Sequence, residues 1–161
     1  MLLLQQNNFC IDDKLLAYYI NLGFNKFCVG SIEQAKQIKK FLPSAEVIAS
    51  ITMKITYEEF ISNNELEIFD GFVLFFTFNR DLDLIKKLPR KYKYILLVNC
   101  GCNIHCDGTH HWFASRDFEE GNKPEWHRCP NKIKPTYWKD TIRIRPMDLN
   151  IFDPYISIYK L

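Results

Sequence analysis

The chain has 161 residues, of which 47% are hydrophobic and 25% are charged, and its formal net charge is +2. This length and composition are typical of one globular domain, or of part of a larger one. The small net charge provides no electrostatic case for nucleic-acid or membrane binding. The opening MLLLQQNN has no basic segment before its short apolar run, and no stretch approaches the roughly 20 apolar residues of a membrane helix. We therefore expect a cytoplasmic protein.

Helices and strands are predicted to alternate through the first half. Asp12 and Asp13 can cap a helix that continues to about Leu22, and Ser31 can cap a second helix that ends before Pro43. A third, short helix is predicted to open at 56–59, where two glutamates occupy its first turn. Apolar and β-branched runs predict strands at 27–30, 45–51 and 71–76.

The second half begins in the same way and then becomes irregular. Asn79 and Asp81 are predicted to introduce a helix that Pro89 ends, and a strand at 94–98 leads directly into a segment rich in cysteine. Residues 114–139 are polar and contain three prolines, which predicts a long irregular loop. Two short strands are predicted at 142–144 and 156–159, with a turn of helix near 147–149.

This alternation predicts an α/β fold with a parallel sheet of βα units, either as an open doubly wound sheet or as a barrel. In both architectures the functional groups gather beyond the carboxyl ends of the strands. The cysteine-rich segment follows the strand at 94–98, so the pattern predicts a functional site at that edge.

Residues 97–113 read LVNCGCNIHCDGTHHWF, which places Cys100, Cys102 and Cys106 in one short stretch, and Cys129 follows. In a reducing compartment such cysteines are more often metal ligands, catalytic groups or core residues than disulfides. Four thiolates without an obligatory histidine favour a [4Fe–4S] or [2Fe–2S] cluster, with tetrahedral zinc as the rival. Cys100 and Cys102 could share one centre only through a tight turn, which Gly101 would permit.

Three further side chains, those of His110, His111 and Cys10, are candidates near this site. His110 and His111 are adjacent, so in an extended segment only one of them can face a given point. The histidine that faces the site could bind substrate or transfer a proton. The alternative is that both histidines are only exposed to solvent in a polar loop. Cys10 follows the first apolar run, and burial is the simpler expectation for it, with ligation as the alternative. Cys28 lies within a predicted strand and is expected to be a core residue.

Three segments in order also resemble a known family. They are Phe78-Asn79-Arg80-Asp81-Leu82, then Leu97-Val98-Asn99 followed by Cys102 and Cys106, and finally Ile144-Arg145-Pro146 followed by Asp148-Leu149. Together they resemble the collagenase-like peptidase superfamily, which includes accessory proteins of oxygen-independent ubiquinone hydroxylation and of RNA hydroxylation. This resemblance implies a TIM-type barrel and a [4Fe–4S] cluster held by four cysteines.

Under this resemblance Cys102 and Cys106 match the paired cysteines of the family, and Cys129 matches a later one. Cys10 matches an earlier family cysteine, which would make it the fourth ligand in place of Cys100, and the choice stays open. The chain departs from the family at Asp107, where relatives usually have proline, and in its early histidines. No recognisable proteolytic nucleophile is present, so peptidase activity is not carried over.

The resemblance leads us to expect one domain over residues 1–161, with parallel βα units forming an incomplete TIM-type barrel and an irregular cysteine-bearing loop at about 100–140. Such a barrel has open strand edges, which a second copy or a partner protein would cover. The first functional hypothesis is an iron–sulfur protein, enzyme or accessory subunit, in oxygen-independent hydroxylation-type modification of a small molecule or RNA. The alternatives are a zinc-stapled, non-catalytic binding module and a metal-dependent, peptidase-like hydrolase.

Overall fold

The computed structural model describes residues 2–4, 10–98 and 143–161, with only the backbone described for 2–4. These residues form an α/β fold around a six-stranded parallel sheet in which the strand order follows the chain order. The strands are β1 (Leu2–Leu4), β2 (Lys26–Val29), β3 (Glu46–Ala49), β4 (Gly71–Val73), β5 (Lys93–Leu97) and β6 (Ile158–Lys160).

In the described part of the chain four α-helices connect the strands, and each begins at a residue that was predicted to introduce it. The helices are α1 (Asp13–Asn21), α2 (Ile32–Phe41), α3 (Tyr57–Ser62) and α4 (Leu82–Lys87). The side chains of Asp12 and Ser31 accept hydrogen bonds from the backbone N–H groups of the first turns of α1 and α2. Thr56 begins α3 through a reciprocal capping box with Glu59.

Short 3₁₀ helices account for most differences between the predicted and observed elements. The strand predicted at 71–76 ends at Val73, and a 3₁₀ helix over Phe76–Arg80 follows it. Residues 143–145 form no strand, although Ile144 is buried, so the prediction for the described part of 142–144 is wrong. The helical turn predicted near 147–149 is confirmed as a 3₁₀ helix over Pro146–Ile151.

The order of the strands distinguishes between the two predicted architectures. In a doubly wound sheet the strand order reverses and helices cover both faces, whereas here it runs from β1 to β6 without reversal. Buried residues of all four helices and of one strand face form a single large core. The strand residues of this core are Phe27, Val29, Val47, Ala49, Phe72, Tyr94 and Leu96.

The opposite face of the sheet has its own small apolar cluster, made of Cys28, Ile48, Val73 and Ile95. Strand side chains alternate between the two faces, so these four residues define what we call the inner face. β1 and β6 are paired with only one neighbour each in the described part of the chain, and they form the edges of the sheet. The parallel sheet of βα units is therefore confirmed, and its closure into a barrel stays a prediction.

Candidate functional site at the carboxyl edge of the sheet

The end of β5 is fixed by a buried amide. Asn79, in the 3₁₀ helix after β4, is 1% exposed, and its Nδ2 donates a hydrogen bond of 2.6 Å to the carbonyl of Leu97. A buried polar side chain makes such a bond because leaving its donor unsatisfied would be costly. Asn79 was predicted to help begin α4, but the cap is Asp81, whose Oδ1 accepts from the N–H of Leu84. Asn79 instead fixes the point at which the chain leaves the sheet.

The chain leaves the sheet at Val98 and returns beside the same residue. The N–H of Ile144 donates a hydrogen bond of 3.1 Å to the carbonyl of Val98. The N–H of Val98 in turn donates one of 3.0 Å to the backbone carbonyl of Lys160 in β6. Both ends of the segment 99–142 are thus held at the carboxyl edge, between β5 and β6. This is the edge at which the strand pattern predicts the functional groups.

Most of the predicted site residues belong to that segment. Cys100, Cys102, Cys106 and Cys129, together with His110 and His111, lie outside the described residues. Within the described ranges there is no group of three or more His, Cys, Asp or Glu side chains that could hold a metal ion. A centre with three or more such ligands would therefore include at least one from outside these ranges.

Cys10 is the predicted ligand that the structure does describe. It lies between β1 and α1 as an exposed free thiol, so the expectation that it is buried is wrong. The next residue, Ile11, exchanges two hydrogen bonds with the side-chain amide of Gln37 in α2, at 2.8 Å and 2.5 Å. The Cys10 thiol itself is exposed, and no described side chain bonds to it. Cys28 is buried, as predicted.

Cys28 lies on the inner face, as its place in the small apolar cluster shows. Burial raises the pKa of the Cys28 thiol, while the ammonium of Lys160 and a hydrogen bond with Ser50 lower it.

The amino end of the inner face carries one carboxylate between two ammonium groups. Glu46 of β3 forms ion pairs with Lys26 of β2 at 3.0 Å and with Lys93 of β5 at 2.8 Å. Hydrogen bonds from the ammonium groups of Lys93 and Lys26 lower the pKa of the Glu46 carboxyl. Lys93 reaches Glu46 across Gly71 of β4, which pairs with Lys93 and has no side chain in the way.

The arginine of the last family-like segment is explained by local structure. Arg145 forms a bidentate ion pair with Asp148, with Nε–Oδ2 and Nη2–Oδ1 distances of 2.7 Å and 3.0 Å. This geometry accounts for the Arg145 guanidinium without a bound anion.

Comparison of this chain with protein-family models, with curated proteins and with solved structures gave no match. Among the described residues, none of the helices has the length and apolar character needed to cross a membrane. The resemblance to the collagenase-like peptidase superfamily therefore stays a prediction from three sequence segments.

Proposed function

We propose that this chain is an iron–sulfur protein that takes part in an oxygen-independent, hydroxylation-type modification of a small molecule. The reaction class comes from the family resemblance alone. RNA is the less favoured substrate because the net charge of +2 offers little attraction for a polyanion. The thiolate ligands would need a reducing compartment, which is why we propose a cytoplasmic location.

The observation that carries the proposal is the pair of hydrogen bonds around Val98, since these fix both ends of the cysteine-bearing segment at the carboxyl edge. An extended chain advances at most about 3.5 Å per residue. Cys102 is four residues beyond Val98 and cannot be further than about 14 Å from it. Fixing the two ends also reduces the entropy lost when distant ligands are brought to one centre.

In this proposal Cys102, Cys106 and Cys129 hold a [4Fe–4S] cluster, with Cys100 or Cys10 as the fourth ligand. Cys100 needs only a tight turn in its own segment. Cys10 follows β1, which lies four strands and about 19 Å from β5 in a flat sheet, so its use depends on strong curvature. The exposure of the Cys10 thiol supports its availability.

We also propose that the sheet is part of an incomplete TIM-type barrel. The strand order without reversal and the apolar cluster on the inner face support this proposal. β2 and β6 lie opposite each other in an eight-stranded barrel, which would bring their inward side chains together. When bound, the cluster would supply electron transfer, and His110 or His111 would bind substrate or move a proton beside it.

The test is anaerobic purification followed by iron, sulfide and zinc analysis and visible absorption. We expect a brown wild type with equal iron and sulfide, and loss of both in Cys102→Ala, Cys106→Ala and Cys129→Ala. Cys28→Ala is the matched control, because this cysteine lies on the inner face outside the proposed ligand set and its replacement should leave iron and sulfide unchanged. Comparing Cys10→Ala with Cys100→Ala identifies the fourth ligand.

Other results would reject the proposal. A colourless wild type with stoichiometric zinc would favour the zinc-stapled binding module instead. Sulfide that stays absent after anaerobic reconstitution, or iron that survives all three cysteine replacements, would rule out a cluster on these ligands. Circular dichroism of each variant shows whether the loss of iron reflects loss of ligation or loss of the fold.

A further inference from the structure

A cavity of about 640 Å³ lies at the amino ends of β3, β4 and β5. Three connections form its walls: the turn between α2 and β3, the residues just before β4, and the residues that lead into β5. Every residue that lines it belongs to the described part of the chain, and it lies at the end of the sheet opposite the edge where the cysteine-bearing segment begins and ends. Sites for small ligands commonly have volumes of roughly 300–1,000 Å³, so the cavity has room for a small organic molecule.

One carboxylate of the cavity is held firmly by the fold. Asp70 directly precedes β4, and its Oδ2 atom accepts hydrogen bonds of 2.8 Å from the ammonium of Lys39 and from the backbone N–H of Val47. Its own N–H donates to the carbonyl of Val47, and its carbonyl accepts from the N–H of Lys93. A carboxylate has about four lone-pair sites, and within the described ranges the Oδ1 atom of Asp70 accepts no hydrogen bond. Asp70 can therefore accept a bond from a ligand without losing a bond of the fold.

One ammonium group of the cavity lies on the connection to β5. Nζ of Lys91 lies 2.6 Å from Oε1 of Glu67, and the two side chains are 56% and 66% exposed. An ammonium group has three donors, and Glu67 and the ring of Tyr92, whose centroid is 5.0 Å from Nζ, engage at most two of them. An exposed ion pair contributes little to stability. Lys91 can therefore donate to a ligand anion at little cost to the fold.

The two charges lie close enough for one small molecule to contact both. The N–H of Lys93 donates to the carbonyl of Asp70 at 3.0 Å, and Lys91 is only two residues before Lys93. Two residues of extended chain span at most about 7 Å. Tyr92 lies between these lysines, also lines the cavity, and packs edge-on against the ring of Phe72 at a centroid distance of 4.9 Å. This half-buried ring supplies an apolar wall beside the two charges.

We propose that this cavity, lined by Asp70, Lys91 and Tyr92, binds a zwitterion of about dipeptide size. The ammonium of the ligand pairs with the Asp70 carboxylate, its carboxylate pairs with the Lys91 ammonium, and its apolar part lies against Tyr92.

The charge balance of the cavity favours this class of ligand. Its lining contains three lysines and three carboxylates, so neither a simple anion nor a simple cation is attracted overall. Among the described residues, these carboxylates do not form a group that could hold a metal ion. The proposal is independent of the iron–sulfur cluster, because no residue of the cavity belongs to the proposed ligand set.

The experiment titrates the full 161-residue chain, prepared anaerobically, with alanyl-phenylalanine, with its N-acetyl form and with its C-terminal amide, followed by amide chemical shifts in NMR. Each modified form lacks one of the two charges. We expect the dipeptide to bind about fivefold more tightly than either modified form, with shifts concentrated at residues 67–70 and 91–93.

Substitutions assign the preference to single charges. Lys91→Gln should bind the dipeptide and its amide equally, and Lys91→Arg should keep the preference for the dipeptide. Lys36→Gln is the matched control, because Lys36 is 54% exposed and lies 2.7 Å from Glu65 in an ion pair of the same kind outside the cavity. Asp70→Asn should remove the preference for the dipeptide over its N-acetyl form. The Lys91 variants decide the question even if Asp70→Asn does not fold, because Lys91 is exposed.

Three results would overturn the inference: equal binding of the three compounds to the wild type, the same loss of preference in Lys36→Gln as in Lys91→Gln, or no saturable shift at millimolar dipeptide. An N-acetyl form that binds as tightly as the dipeptide would overturn the assignment to zwitterions and make the cavity an anion site. An amide that binds as tightly would likewise make it a cation site.

Discussion

Gly71 is the residue whose replacement tests the packing of the inner face most directly. It lies at the start of β4, opposite Lys93 of β5 and Ile48 of β3. A Cβ atom built there would lie 2.5 Å from the carbonyl oxygen of Lys93, 2.9 Å from the Cβ of Lys93 and 2.9 Å from Cδ1 of Ile48. The closest of these contacts is with backbone, so a rotamer change cannot relieve it.

Gly71→Ala must therefore separate β4 from β5 or shift both strands. Inserting one methyl group into a well-packed site costs about 1–3 kcal/mol, and a weakened ladder hydrogen bond adds about 1 kcal/mol. We expect the free energy of unfolding to fall by about 3 kcal/mol in total. The stem of Lys93 would be displaced as well, which weakens its pairing with Glu46.

The measurement is urea denaturation followed by circular dichroism, with Gly23→Ala as the matched glycine control. Gly23 has a φ of +88° and no atom within 4 Å of a built Cβ, so only its left-handed backbone conformation opposes the change. That conformation costs an alanine about 1 kcal/mol. If Gly71→Ala is no more destabilising than Gly23→Ala, the close packing of β4 between β3 and β5 is refuted.

Three further predictions concern single side chains. Pairing with Lys93 and Lys26 lowers the pKa of Glu46 below 4.5. The difference in free energy of unfolding between wild type and Glu46→Gln should therefore have its full value above about pH 4.5. It should decline as the pH falls through the lowered pKa, as measured by urea denaturation from pH 7 to 3, and a constant difference would contradict this. Asn79→Ala should lower the free energy of unfolding by about 2 kcal/mol and reduce the iron retained after anaerobic purification. Unchanged values would show that Asn79 does not fix the end of β5. Lys54 has a φ of 50°, a conformation that glycine adopts more easily than other residues. Lys54→Gly should therefore raise the free energy of unfolding by about 1 kcal/mol, seen as a higher thermal midpoint, and Lys54→Ala should not.

The helix starts could be predicted because their chemistry is local. Asp12, Ser31 and Thr56 satisfy backbone donors three residues ahead, so the residue type alone marks the position. The end of β4 could not be predicted in this way. Phe76 and Phe78 are as buried as strand residues, and a continuous apolar run does not distinguish a strand from a buried 3₁₀ turn.

The site was predictable only as far as its edge of the sheet. The alternation of strands and helices predicted that the chain enters the cysteine-bearing segment at the carboxyl edge, and Val98 confirms this. The role of Asn79 at the end of β5 was not predictable, because its hydrogen bond to the carbonyl of Leu97 joins two residues that only the fold brings together.

The described residues favour the carboxyl edge as the place of the proposed function. At the amino end, Glu46 lies between Lys26 and Lys93, and this local pairing explains all three side chains. At the carboxyl end, the hydrogen bonds of Val98 and Ile144 hold the cysteine-bearing segment at the edge where the functional groups of parallel βα folds gather.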